Sequence, residues 1–87
     1  MSADPSSLTV RVLLFASYAE GLGFETQELT LPAPASVGSV VERLRSLPGG
    51  DALPPKPLCA RNLAHSDPAA PVQDGDEIAI LPPLAGG

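Results

Sequence analysis

The chain contains one cysteine, Cys59, and one histidine, His65. A single thiol excludes an intrachain disulfide, and one Cys with one His falls short of the closed four-ligand shell of a structural zinc site. Stability must come from packing. Basic residues are few, five against ten acidic ones, and form no run. The net charge of −5 offers no electrostatic footprint for a nucleic-acid backbone or an anionic membrane, so neither is expected as a partner. Long hydrophobic runs are missing as well. Residues 12–16 are too few to span a bilayer, and no Lys or Arg precedes Arg11 as a signal peptide requires, which makes the cytoplasm the expected location. At 87 residues the chain is one small domain, able to bury somewhat over about 60% of its unfolded surface, with little room for a deep substrate cavity.

What is present is enough for a thin core. Hydrophobic residues make up 44% of the chain, while 11 prolines and 8 glycines imply stiff loops. Residues 1–7 are small and polar, a loose start with nothing to bury. Over residues 8–15, Leu8, Val10, Val12 and Leu14 alternate with Thr9, Arg11, Leu13 and Phe15, which predicts a strand. A glycine-rich turn is expected at residues 20–23. A weaker alternation over residues 24–31, with Gln27, Leu29 and Leu31 on one side, predicts a hairpin partner. Pro32 and Pro34 stop that strand. Ser36 suits the N-cap of a helix whose apolar residues Val37, Val40, Val41, Leu44 and Leu47 fall at helical spacing, before Pro48, Gly49 and Gly50 end it. A proline-stiffened loop follows over residues 51–57, then a short strand through Cys59 ending at a turn near Asn62. Asp74, Gly75 and Asp76 mark a turn into a last strand, residues 77–81, with Ile78 and Ile80 inward.

This order is α+β, with one main helix lying across a mixed sheet that buries the hairpin's apolar face. If the first and last strands lie side by side at the sheet centre, the arrangement is the β-grasp of ubiquitin-like proteins. The domain plan is a flexible start over 1–7, a folded body over 8–81 and an extended C-terminal Gly-Gly tail over 82–87. In the tail, Pro82 and Pro83 cannot continue a ladder and hold the backbone extended away from the body. Leu84, Ala85, Gly86 and Gly87 follow, narrow enough to thread a slot, with an uncrowded carboxylate at the last residue. Such a terminus suits a reactant that is activated as an acyl-adenylate. The same two glycines also suit an inert flexible end.

Leu14-Phe15-Ala16 after a Val-rich strand, Val37-Gly38 opening the helix, Asn62 after a short apolar run, Asp74-Gly75-Asp76-Glu77 and the tail Pro82-Pro83-Leu84-Ala85-Gly86-Gly87 form an ordered set. Together they resemble the MoaD/ThiS family, the small sulfur-carrier subunits of molybdopterin synthase and their relatives, from about Val10 to Gly87. The resemblance implies that an ATP- and magnesium-using, MoeB-like enzyme adenylates Gly87. A sulfur donor such as a cysteine desulfurase or rhodanese then makes the thiocarboxylate. The tail enters a MoaE-like large subunit, in a heterotetramer, and gives its sulfur to cyclic pyranopterin monophosphate during molybdenum cofactor biosynthesis. By the same resemblance Gly86 keeps the tail thin, Pro82, Pro83, Leu84 and Ala85 line the partner's channel, and Phe15, Leu81 and His65 belong to the docking face. The chain would bind no cofactor or metal of its own and supply a reactant, while the partner supplies the catalytic groups. Where relatives often carry an Arg-Glu pair after Phe15-Ala16, this sequence has Ser17-Tyr18-Ala19-Glu20, so a basic contact is missing.

The alternation adds a physical reason for docking. If Leu14 and Ile80 point under the helix, then Leu13, Phe15, Ala79 and Leu81 lie on the opposite sheet face, where contiguous apolar groups mark a partner surface unless loop 51–57 folds over them. Cys59 reads as a small core residue, since nothing nearby in sequence would depress its pKa. His65, Ser66 and Asp67 are adjacent in sequence and so form no triad. Asp74, Asp76 and Glu77 read as turn-shaping acids, well short of a calcium loop. Two alternatives stay open: a carrier serving tRNA thiolation, thiamin synthesis or protein conjugation, and a β-grasp binding module with an inert tail.

Overall fold

The computed structural model describes residues 7–83. In chain order the elements are β1 (Ser7–Leu14), α1 (Ala16–Leu22), β2 (Thr26–Pro32), β3 (Ala35–Ser36), α2 (Val37–Arg45), a 3-10 turn (Gly50–Ala52), β4 (Leu58–Arg61), β5 (Ala64–His65), β6 (Pro71–Val72) and β7 (Glu77–Leu81). Five strands form one mixed sheet in the order β2-β1-β7-β4-β5, and β3 pairs with β6 in a small separate ladder. The first and last strands are central and parallel, with Val12 opposite Ile78 and Leu14 opposite Ile80, as the β-grasp reading requires.

Alternation in the strands decides which face is core. Leu8, Val10, Val12 and Leu14 of β1 are buried together with Leu29 and Leu31 of β2, Ile78 and Ile80 of β7 and Cys59 of β4. Val37, Val40, Val41 and Leu44 of α2 close this layer from above. Each fully buried Val, Leu or Ile contributes roughly 1.5–3 kcal/mol, so this one layer supplies the stability that no disulfide provides. The helix starts where its chemistry allows. The Ser36 hydroxyl accepts the Ser39 N–H at 3.2 Å and the Ser39 hydroxyl accepts the Ser36 N–H at 3.1 Å, which satisfies two otherwise orphaned donors.

Several expectations are corrected. The first strand ends at Leu14, and Phe15 is instead the N-cap of a second helix, α1, where a glycine-rich turn over 20–23 was expected. Seven residues are too few to display a helical period; here only Tyr18 is buried, with Ala19 and Leu22 packed partly against the core. The helix persists because it packs on the 3-10 turn, a tertiary contact invisible in the local sequence. Gly23, in the left-handed region at φ 86°, ends it by donating its N–H to Ala19 O at 2.8 Å. Strand β2 is shifted to Thr26–Pro32, and Gln27 stays exposed although it shares the inward side with Leu29 and Leu31. Leu47 lies beyond the end of α2, half-buried against the core.

One buried charge stands out. Asp76 is 7% exposed and accepts hydrogen bonds from Arg61 Nε at 2.7 Å, Asn62 Nδ2 at 3.0 Å and the Gln73 N–H at 2.7 Å. Burial alone would raise its pKa, but these donors and the Arg61 charge outweigh burial and hold it below the usual carboxylate range. A lowered folded-state pKa means stability that is fully present above the unfolded value, about 3.9, and lost as pH falls through the folded value. The melting temperature of the natural chain should therefore drop in acid below about pH 4. An Asp76→Asn variant should lose about 1–3 kcal/mol at neutral pH and show a flatter acid limb, measured by melting across pH 2–7.

Candidate docking face and tail root

The outer face of the sheet is built from the residues that alternation turns away from α2. Cross-strand registers stack them in rows. Thr9 lies opposite Thr30, their hydroxyls 3.0 Å apart; Arg11 lies between Glu28 and Glu77; Leu13 lies between Thr26 and Ala79. Ala79 in turn faces Ala60, and Leu81 faces Leu58. The face therefore grades from polar to charged to apolar towards the C-terminal ends of β1 and β7. Phe15, 43% exposed, follows directly on β1 at the apolar end, and Leu58 is 48% exposed. An open groove of about 300 Å³ runs beside Phe15, lined by Leu13, Leu14, Ala16, Glu25 and Thr26.

Loop 51–57 does not cover this face. Its Leu53 is 1% exposed and belongs to the core on the other side, and Arg45 Nε donates to Leu53 O at 3.1 Å, tying the loop to α2. Among the described residues Phe15 and Leu58 are exposed and Leu13, Ala60, Ala79 and Leu81 half-buried, an apolar surface that an isolated domain would avoid.

The structure brings most of the expected docking residues together. Leu81 closes β7 on the outer face, Pro82 after it is half-buried and Pro83 is exposed. His65, in β5 opposite Ala60, extends the Leu13–Ala79–Ala60 row to the sheet edge. Leu84, Ala85, Gly86 and Gly87 lie outside the described residues. Leu58 and Ala60 were missed as members of the face. Their strand is short and mixed, and only its antiparallel register with β7 shows which of its residues share a side with Leu81.

The remaining candidates sit where packing needs them. Cys59 is buried, its thiol pushed up in pKa by burial and its Sγ 3.5 Å from Pro57 O, which suits an inert core residue. Asp74 Oδ1 accepts the Thr9 N–H at 2.7 Å and Gly75 donates its N–H to Thr9 O at 2.7 Å, clamping the last turn onto β1. Among the described residues no group of three or more His, Cys, Asp and Glu is placed to hold a metal, and no helix is long and apolar enough to cross a membrane.

The sequence profile of the ThiS family matches residues 12–87, nearly all of the folded body together with the tail. The chain belongs to the ThiS family. Among its relatives, the molybdopterin synthase sulfur carrier subunit of Arabidopsis thaliana is 32% identical over 99% of this chain and 91% of that protein. Among solved structures, SAMP1 from Haloferax volcanii superposes on this ThiS-family chain with a TM-score of 0.76 at 26% identity, covering 91% of this chain and 99% of that one. A complex of subunits 1 and 2 of the molybdopterin-converting factor from Helicobacter pylori 26695 contains a chain matching at TM-score 0.66 and 23% identity, over 92% of this chain and 100% of that one. This last likeness is one of fold. By homology the ThiS-family chain groups with the sulfur carrier subunits of molybdopterin synthase.

Proposed function

We propose that this protein is the sulfur-carrying small subunit of a molybdopterin synthase and that Gly87 is its reacting residue. The Gly87 carboxylate attacks the α-phosphorus of ATP on a MoeB-like activating enzyme that uses magnesium, and pyrophosphate leaves. The persulfide of a cysteine desulfurase or rhodanese then attacks the acyl carbon and AMP leaves. A thiol cleaves the resulting acyl disulfide, which releases the terminal thiocarboxylate and leaves the two thiol sulfurs joined as a disulfide. A MoaE-like large subunit receives the tail and directs the sulfur to cyclic pyranopterin monophosphate. In this reading Pro82, Pro83, Leu84 and Ala85 line the channel and Gly86 keeps the approach thin, in a heterotetramer working in the cytoplasm where ATP is supplied. The chain itself holds no cofactor.

The observation that carries the reading is the family match running through residue 87, on a domain whose open apolar face sits at the root of that tail. Its test is the intact mass after incubation with a family activating enzyme, MgATP and a sulfur donor. Exchange of one oxygen for one sulfur supports the carrier role; no exchange, with the enzyme active on another carrier, returns the chain to the binding-module reading. The likeness to an archaeal modifier protein favours one further alternative, the same terminus joined to a protein amine. Only the acceptor separates the two.

Docking gives a second check. Phe15 is exposed and makes little contribution to the core, so Phe15→Asp should leave the melting temperature nearly unchanged. The same variant should weaken binding to a large subunit by roughly 30-fold or more, about 2 kcal/mol, as expected for an aromatic anchor. Titration calorimetry reads the affinity, and equal affinity for both chains removes Phe15 from the interface.

A further inference from the structure

The β4–β5 connection is a two-residue hairpin loop, with Arg61 opposite Ala64 and Asn62-Leu63 at the tip. Both tip residues have positive φ, 52° and 74°, the backbone of a type I′ turn. Such turns favour Asn followed by Gly, because a Cβ at the second position crowds the backbone. Here that second position holds Leu63, and it is 91% exposed. A bulky apolar side chain therefore stands almost wholly in water, on a backbone conformation that leucine disfavours.

The turn beneath it is firmly held. Asn62 donates its N–H to Glu77 O at 2.8 Å, accepts the Glu77 N–H on Oδ1 at 2.8 Å and donates from Nδ2 to the buried Asp76 at 3.0 Å. Arg61 is tied to Asp76 as well, at 2.7 Å. Leu63 is presented by a rigid support. Among the described residues only three non-glycine residues have positive φ, namely Ala16, Asn62 and Leu63. Of these only Leu63 is a large apolar residue, and it is the most exposed of that kind among the described residues; Ala16 adjoins Phe15, whose own backbone is extended. Disfavoured backbone that persists in this way points to a surface selected for something other than folding.

The tip also adjoins the outer face: His65, two residues on, prolongs the Leu13–Ala79–Ala60 row, and Asn62 pairs with Glu77 of the neighbouring charged row. We infer that Leu63 is a second anchor for the protein that covers this face, seated in an apolar pocket of that partner just past the β4–β5 edge. The inference rests on the docking reading and adds a contact at the end of the sheet remote from the tail, giving the partner two fixed points that set its orientation.

Leu63→Gly separates anchoring from folding because the two effects have opposite signs. Glycine relieves the backbone, so the melting temperature should hold or rise by a few degrees. Loss of the anchor should weaken binding to the purified large subunit of a related synthase about 10-fold or more, read by calorimetry. Leu63→Asn, which also tolerates positive φ but is polar, should weaken binding alike and shows that added turn flexibility is not the cause. Unchanged affinity in both variants, with Phe15→Asp still weakening, overturns the anchor and leaves the docking face intact. Unchanged affinity in all three, or no binding by the natural chain, overturns the docking reading and this inference with it.

Discussion

Deletion of Gly87 should abolish thiocarboxylate formation and sulfur transfer while leaving the domain's unfolding unchanged. The shortened chain still ends in a glycine carboxylate, so the loss is one of reach. Removing one extended residue withdraws the carboxylate by about 3.3–3.6 Å, as much as the whole separation between atoms in a near-attack arrangement, about 3–3.5 Å. Misplacement by about 1 Å already costs about 100-fold, so transfer should fall below detection. Folding should not notice. Among the described residues the last core residue of β7 is Ile80, and Pro83 is exposed. Intact mass after activation measures the chemistry, and a thermal melt should agree with the natural chain to within about 0.5 kcal/mol. Transfer retained by the deleted chain would show that Gly87 itself is not required, the new Gly86 carboxylate or another group serving instead. Residues appended after Gly87 should block the reaction by the same geometry, whereas a binding module with an inert tail would tolerate them.

Gly49→Ala should be among the most damaging single substitutions for stability. Gly49 follows the end of α2 with φ 84°, where an L side chain costs about 1–2 kcal/mol. A Cβ there would also collide with the backbone carbonyl of Gly21 in α1, which has no flexible end to move aside. Overpacking of this kind adds about 1–3 kcal/mol, for roughly 2–5 kcal/mol in all. That is a large fraction of the 5–15 kcal/mol typical of a domain. At about 4–8 °C per kcal/mol, the melting temperature should fall by tens of degrees. Gly23→Ala is the control. It has nearly the same φ, 86°, but nothing within 4 Å of the added carbon, so only the backbone penalty remains. Equal losses at the two sites would mean that the approach of Gly49 to α1 carries no energy of its own.

These two outcomes separate what the residues alone make legible from what they do not. The alternation of Leu8 to Leu14, the Ser36 cap and the Ile78–Ile80 strand are local signals with the correct period. Each specifies its element and buried side before any contact is known. The end of β7 is legible for the same reason, since Pro82 and Pro83 cannot continue its ladder. Helix α1 was not legible. Its seven residues lack a capping side chain, and the contact that holds it, Gly21 against the Gly49–Ala52 segment, joins residues nearly 30 positions apart. The outer sheet face was half legible: alternation put Leu13, Ala79 and Leu81 outward, but Leu58 and Ala60 joined them only through the register of β4 against β7.

By itself the sequence determined the core side of every long strand and the start of the main helix, because these depend on residue period and on the local chemistry of Ser and Pro. Tertiary structure alone decided that loop 51–57 turns inward with Leu53, that α1 exists, and that a strained Leu63 stands at the edge of the open face. Those features arise from pairings across the sheet and between distant segments, whose geometry no local pattern of side chains encodes.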